Sequence, residues 1–446
     1  MASPILHIKD SYYFEIPKFM WRCDYRSKSE FPAVWIKNDP QYRDFEAGKL
    51  LGELKSISGL AMPPDEELLA GYRHWRDADH ANFGRPFHAY LESKADWLKS
   101  RLEDASFREQ WQAITRRVTG AETVEAFRKD DSISWSADRI QGYNRELSGK
   151  ILIPQPFGEL RNFYERESGF CISKFMIVEV VVFLLLTVVF SRIAQKIATG
   201  EAPRGRLWNL LEAMLLFVRD EIARKAIHDH HDHDHHAHDH HGHEHHDHDH
   251  HGHEHHGHEH QGDRPLIRPH AADRFVPLLW TFFFFILGCN LMGMLPWVGA
   301  PTGTFSVTVA LAIGTISCSV VFGMLQFGFI GFWLNQLPTM DLPIALAVVL
   351  KPGIFFIEVL GFCIKHGVLA IRLLANMVAG HLVLLAIMEM AFGHEGARSS
   401  LWPLTAVLSV VGATLFSCLE LFVAFLQAYV FTLLSALFIG AATSRH

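Results

Sequence analysis

The residues best suited to chemistry lie in the apolar second half of this 446-residue chain. Between residues 275 and 440 only nine side chains are Asp, Glu, Lys or Arg. An ionisable side chain is costly inside such a segment and is a functional candidate by default. The set of interest combines charges with neighbouring amides: Glu358, Lys365, Arg372, Asn376, His381, Glu420 and Gln427.

The spacing of these residues predicts two faces on one helix. Glu358 and Lys365 precede Arg372 by multiples of seven residues, which places them within about 40° of it, and Asn376 joins that face. His381 follows Arg372 by nine residues, so it lies about 180° away and roughly 13 Å along the axis. The helix thus carries a permanent cation on one side and a titratable imidazole on the other.

A second, shorter pattern lies near the end of the chain. Glu420 and Gln427 are seven residues apart and share a face of the last helix. The alternative interpretation is that all these charges only form salt bridges between helices. It fits Lys365 and Glu358 better than Arg372, for which no nearby carboxylate is left over.

The elements that must position these residues are apolar segments of membrane-spanning length, and they predict an all-α polytopic membrane protein with about five crossings. These segments are 175–190, 275–295, 304–334, 342–390 and 401–441. As helices the last two would measure roughly 70 and 60 Å, about twice the hydrocarbon thickness, so each must tilt strongly, bend or break. Ten residues separate them, which predicts an antiparallel hairpin over 342–441.

Residues 204–225 alternate leucines and charges at helical spacing, which predicts an amphipathic helix at the membrane interface. Ten Lys or Arg residues lie between the first two spans, so this segment should be cytoplasmic, or on the matrix side in an organelle. The N-terminal domain and the 391–400 turn are then expected on the opposite side. The N-terminus has no signal-peptide or transit-peptide pattern, which favours a bacterial inner membrane over a mitochondrial one.

Residues 1–170 are nearly neutral, with 25 basic and 27 acidic side chains. Since no basic face accumulates, we do not expect a nucleic-acid partner. We expect a mostly helical extramembrane extension, with two or three amphipathic helices over 74–118 and an extended approach to the membrane over 151–164. His74, His80 and His88 are better explained by a solvated helix face than by a metal site.

Residues 228–260 contain 20 of the 29 histidines and nine acidic residues. The tract from His228 to His260 should be disordered, because it has no apolar side chain able to support a core. It can bind transition metals loosely. A metal buffer and a proton antenna remain open, but a tolerated low-complexity expansion is favoured. The expected divisions of the chain are 1–170, 171–227, 228–262 and 263–446.

The segment IRLLANMVAGH, residues 371–381, resembles the signature of the membrane-embedded a subunit of F-type ATP synthases. In its last helix that family has an acidic residue or a histidine seven residues before a glutamine. Glu420 and Gln427 resemble this pair. NLMGMLP (290–296) and FSVTVALAIGT (305–315) are also similar to family segments. The resemblance covers roughly residues 171–446, interrupted by the histidine tract.

Several departures accompany this resemblance. In one common bacterial type the acid comes first and the histidine second. His381 and Glu420 have the opposite order, which also occurs in the family. His366 replaces a frequent proline, and Gly293 replaces an acidic residue found in some members. The N-terminal 170 residues far exceed the short tail that is usual in the family.

The resemblance implies a stator subunit that provides two proton half-channels beside a rotating c-ring. Arg372 would separate the half-channels, and the outer one would be lined by His381 and Glu420, with Asn376 and Gln427 as polar neighbours. Glu358 would be a weaker candidate for the same path. The implied partners are the c-ring, peripheral-stalk b subunits, other Fo and F1 subunits and the lipid bilayer, with no cofactor and no catalysis by this subunit itself.

The rival hypothesis is a cation or zinc transporter with a His-rich cytoplasmic loop. Such a protein needs several His and Asp residues at i, i+4 spacing inside the membrane. The spans offer only the isolated His366 and His381, and Arg372 would repel a divalent cation. The sequence does not settle whether protons or sodium ions are the coupling ion.

Overall fold

The computed structural model describes residues 10–57, 62–79, 82, 84–198, 205–227, 271–295, 298–335, 344–392 and 402–443. The histidine tract and nearly all of the 391–400 turn lie outside these ranges. Contacts divide the chain into two compact units, one over Lys9–Ile177 and one made chiefly of Val178–His446.

The first unit is mostly helical. Its helices are α1 (Ala33–Lys37), α2 (Pro40–Lys55), α3 (Asp65–Ala78), α4 (Phe87–Lys94), α5 (Asp96–Arg101), α6 (Ala105–Thr119), α7 (Ala121–Lys129) and α8 (Ala137–Leu147). Local signals start several of them: Asp39 caps α2 by accepting from two backbone N–H groups, and Pro40 occupies the first turn. One core surrounds Tyr72, Phe87 and Trp111.

Four helices overlap residues 74–118, so the prediction of two or three was too low. Short connections at Pro86 and Ala95 separate helices that the helical periodicity of the sequence predicts as continuous. The segment after α8 is extended as expected, but it also pairs into sheets. Strand β1 (Tyr13–Glu15) is antiparallel to β2 (Lys150–Leu152), and β3 (Gly158–Leu160) is antiparallel to β4 (Arg166–Gly169).

The second unit contains the apolar helices. They are α9 (Lys174–Ala198), which begins in the first unit, α10 (Arg206–Phe217), α11 (Arg224–Ala226), α12 (Val276–Gly293), α13 (Phe305–Phe327), α14 (Phe329–Asn335), α15 (Ile344–Phe392) and α16 (Trp402–Thr443). Among the described residues, five helices are long and apolar enough to cross a membrane: α9, α12, α13, α15 and α16. This confirms the all-α polytopic fold class.

Two details of the span predictions change. The predicted span 304–334 is divided at Gly328, whose φ of +76° ends α13 before α14 begins. By contrast, α15 runs unbroken for 49 residues despite Pro352. Of the three predicted alternatives, a tilt, a bend or a break, the break is therefore wrong for α15. At about 1.5 Å per residue α15 measures about 73 Å, so it must tilt or bend.

The interfacial helix forms over α10 and continues through a π-helical turn, Val218–Ala223, into α11. Leu207 and Leu210 on α10 are exposed, as a membrane-facing stripe requires. Leu215 accepts a hydrogen bond of 3.0 Å from Trp280 Nε1, which ties this segment to α12. Together these contacts hold the amphipathic segment against the spans.

The long helices pack as an antiparallel hairpin. Near one end Ser409 Oγ of α16 donates to the Ile387 carbonyl of α15 at 2.5 Å. Near the other end the His366 ring lies 4.4 Å, centroid to centroid, from the Phe438 ring. Helices α12 and α13 cover one side of the hairpin, where Phe283, Leu373 and Phe431 join a common core with several other residues.

Candidate functional site

A histidine and a glutamate face each other across the hairpin. His381 Nδ1 of α15 lies 3.5 Å from Glu420 Oε1 of α16. The Glu420 side chain is 6% exposed and that of His381 is 20% exposed. His381 Nε2 is buried and has no hydrogen-bond partner among the described residues. The imidazole and the carboxylate thus form a close pair, with their nearest atoms just beyond hydrogen-bond length.

Gly380 makes room for this pair. A Cβ atom at this position would lie 2.8 Å from Glu420 Oε1, closer than real Cβ contacts occur. The carboxylate thus lies directly against the backbone of α15, one residue from the imidazole. The small residue of the sequence motif has a steric reason here.

A polar clamp holds α16 at the same level. Asn290 of α12 is fully buried and donates from Nδ2 to the Ala424 carbonyl at 3.1 Å. Thr302 donates to Asn290 Oδ1 at 2.7 Å. Since Ala424 lies one helical turn after Glu420, the clamp fixes the carboxylate relative to α12. Asn290 was noted within a motif in the sequence, but its partners are visible only in the folded chain.

Beyond the His381–Glu420 pair, the facing residues of α15 and α16 are buried and mostly apolar. Gln427 is 3% exposed there and shares this surface with Glu420. The remaining residues are apolar and buried, with at most 2% exposure: Leu369, Leu373 and Met377 on α15, and Ala424, Ala428 and Phe431 on α16. These side chains pack closely, as in a protein interior.

Arg372 lies on the other face of α15. Its side chain is exposed, and its exposed neighbours Val368 and Ile371 are apolar. Asn376 is half-buried one turn further on. The structure thus places the guanidinium and His381 on different faces of one helix. In the described part of the chain no salt bridge reaches Arg372, which leaves its charge available on an apolar surface.

The remaining polar residues of α15 do not join the pair. Glu358 is half-buried and 23 residues from His381, or about 34 Å along the axis. Lys365 is exposed. His366 is fully buried between the rings of Phe362 and Phe438. Its Nδ1 lies 2.9 Å from the Phe362 carbonyl, which can only accept, so Nδ1 carries the hydrogen.

One intramembrane charge was missed by the sequence analysis. Glu179 lies in α9, and its Oε1 atom is buried. It lies before the charge-poor region 275–440 that the sequence pattern singles out, in a span recognised by its apolar length. A carboxylate in the middle of FMIVEVVVF is itself the signal that identifies it.

The described residues hold no cluster of three or more His, Cys, Asp or Glu side chains able to bind a metal. His74 is exposed and His88 is half-buried, while His80 lies outside the described ranges. A solvated helix face, as predicted, describes His74, whereas His88 is partly buried.

Fold and site define an α-helical multi-pass membrane protein with ionisable side chains inside its spans. The family model of the ATP synthase A chain matches residues 264–440. ATP synthase subunit a of Myxococcus xanthus is 36% identical over 248 residues, which are 55% of this chain and 64% of the relative. Subunit a 2 of Chlorobaculum tepidum is 32% identical, covering 65% and 69% of the two chains. Subunit a of Chloroherpeton thalassium is 30% identical, covering 69% and 78%.

The chain belongs to the ATP synthase subunit a family. The matched region includes the hairpin with Arg372, His381 and Glu420. The chain spans slightly less than two thirds of the Myxococcus relative, and more than two thirds of the other two relatives.

Proposed function

We propose that this chain is the stator subunit of an ATP synthase Fo sector and couples transmembrane proton flow to rotation of a c-ring. The observation that carries the proposal is the division of α15 into two faces. One face presents the exposed Arg372, and the other brings His381 to Glu420. Buried and mostly apolar residues of α15 and α16 lie on the side of the hairpin away from Arg372.

The exposed face of α15 would meet the c-ring. A deprotonated ring carboxylate that passes Arg372 is attracted by the guanidinium, which favours release of its proton. Because arginine stays charged at any physiological pH, it also repels protons and prevents a direct leak. Apolar neighbours such as Val368 and Ile371 suit a surface that slides along other membrane helices.

The His381–Glu420 pair would line the half-channel open to the outer side. A proton arriving from that side protonates one member and passes to the other over the 3.5 Å that separates them. Asn376 and Gln427 would supply polar contacts along this route. Glu358, about 34 Å away, fits the half-channel on the inner side rather than this one.

The other assignments follow from the same proposal. The partners are the c-ring, the peripheral-stalk b subunits and other Fo and F1 subunits. The location is a bacterial inner membrane, supported by relatives from bacteria. Residues 1–170 form an extramembrane extension on the outer side. A zinc transporter is not favoured, since the chain belongs to the ATP synthase subunit a family.

The proposal is tested by Arg372→Ala in the assembled complex in membrane vesicles. We expect loss of ATP-driven proton pumping and of ATP synthesis, with assembly retained because the side chain is exposed. Lys351→Ala is the matched control, since Lys351 is an exposed cation near the start of the same helix. Normal ATP synthesis by the Arg372 variant would overturn the proposal.

A further inference from the structure

Glu179 lies in the outer part of the first span. It follows Lys174, the first residue of α9, by five residues, or about 8 Å along the axis. Positive-inside orientation puts this end of α9 on the outer side. The side chain is therefore within reach of outer water, yet deep enough to be costly if it faced lipid.

The buried face of α9 carries this carboxylate toward α12. Val178 and Val182 are each 3% exposed, and Glu179 lies beside them with one carboxylate oxygen buried. Val182 packs on Gly288 so closely that a Cβ there would lie 2.8 Å from Val182 Cγ1. Cys289, the residue after Gly288 on α12, is fully buried.

The next residue of α12 connects this region to the proton pair. Asn290 follows Cys289 and makes the clamp with Thr302 and the Ala424 carbonyl. Ala424 is one turn from Glu420 on α16. Asn290 and Thr302 are thus polar side chains that join α12 to α16 one turn from the carboxylate that faces His381. The other described ionisable side chains of α9 are Lys174, Arg192 and Lys196, which lie at or near the ends of the helix. On α12 the one described ionisable side chain is Cys289.

We propose that Glu179 is the entry group of the outer half-channel and hands protons to Glu420 past the Asn290–Thr302 clamp. The Glu179 carboxylate accepts a proton from outer water, and the O–H bond then breaks as the proton passes to the Glu420 carboxylate, which accepts it. Glu179 is regenerated as the anion, so the step consumes nothing else. This inference rests on the proposed function of the chain.

The test is Glu179→Gln in the assembled complex in vesicles, with proton flux measured while the pH on the outer face is varied. We expect flux to fall at least about tenfold, because loss of a positioned proton-transfer group typically has a larger effect than this. Glu179→Asp keeps a carboxylate and should retain part of the flux with a shifted pH profile. Glu389→Gln is the control, because Glu389 is an exposed acid on α15.

A second variant covers the case in which Glu179→Gln assembles poorly. Glu179→Cys, made together with Cys289→Ser, should take up more of a small water-soluble thiol reagent added from the outer face than Cys289→Ser alone, which keeps the other free cysteines. No reaction, or wild-type flux in Glu179→Gln at every outer pH, would overturn the inference. If Arg372→Ala is inactive in the same assay, that result leaves the proposed function of the chain intact.

Discussion

The Glu420 carboxylate rests against the backbone of α15 at a position where any side chain would displace it. Gly380 provides that space, and the imidazole of the next residue completes the pair. Small residues in a motif are often explained by helix packing alone. Here the glycine lets the Glu420 carboxylate approach His381 closely.

Gly380→Ala is expected to lower proton flux by about tenfold, because the new Cβ pushes Glu420 Oε1 away from His381 and misplacement of about 1 Å is costly for catalysis. The measurement is ATP-driven pumping in vesicles. Gly367→Ala is the control, since a Cβ at Gly367 meets nothing within 4 Å. Equal flux in both variants would show that the 3.5 Å separation does not matter.

His88 in the first unit gives a pH-dependent prediction. Burial lowers the pKa of His88 to about 4, against a smaller opposing effect of Glu92. The unfolded chain then binds the proton at a higher pH than the folded chain does. Stability is fully present above about pH 6.5 and falls as the pH drops toward 4, by at most about 3 kcal/mol.

His88→Gln should flatten this dependence, because the titrating group is gone. We would follow the urea concentration at which α4 and α6 lose hydrogen-exchange protection in the full chain between pH 4 and 7. His74→Gln, at an exposed position, should leave the dependence unchanged. An unchanged slope in His88→Gln would assign the pH effect to other groups.

Some of this residue-level detail was accessible from the sequence. The separation of Arg372 and His381 onto different faces follows from the angle per residue of a helix, which tertiary packing does not alter. The contacts of Asn290 with Thr302 and Ala424 were not accessible, because they join three separate elements. Glu179 was accessible in principle, since a lone carboxylate interrupts an apolar run.

The elements follow apolar length closely, and their interruptions follow backbone chemistry. Gly328 adopts a left-handed conformation and ends α13, although the apolar run continues through α14. Pro352 lies in the ninth position of α15 and the helix continues through it. Hydrophobicity therefore predicted the spans but not the break, since the apolar pattern does not change at Gly328.

Gly328→Ala is expected to lower the free energy of unfolding by about 1 kcal/mol. The cost is conformational, because positive φ disfavours a Cβ and no atom lies within 4 Å to clash. Thermal denaturation of the purified protein in detergent measures it. Gly314→Ala, inside α13 and also without close neighbours, should be neutral or slightly stabilising. A Gly328 variant as stable as the control would contradict this account of the break.

At the scale of the whole chain, three parts of very different composition are joined. Residues 9–177 have their own aromatic cores, and the second unit is built on long apolar helices. The tract of residues 228–260 contains no apolar side chain larger than alanine. Composition alone separates these parts, whereas the function of the first unit has no comparable signal in the sequence.

Deletion of residues 228–260 is expected to leave proton pumping unchanged from pH 5 to 8, because the intramembrane site uses none of these histidines. The measurement compares full-length and deleted chains in assembled complexes in vesicles. Replacement of the tract by an equally long Gly/Ser linker controls for loop length. A loss of pumping confined to one end of the pH range, and seen with the linker too, would instead support a proton antenna.

The clamp between α12 and α16 has a consequence for biosynthesis. A chain that has inserted only α9 to α15 holds His381 and Asn290 without Glu420 or the Ala424 carbonyl. The contacts of Asn290 with α16 and of His381 with Glu420 therefore form only when α16 enters the membrane and docks. Under the proposed function, a chain that still lacks α16 would hold an incomplete proton site.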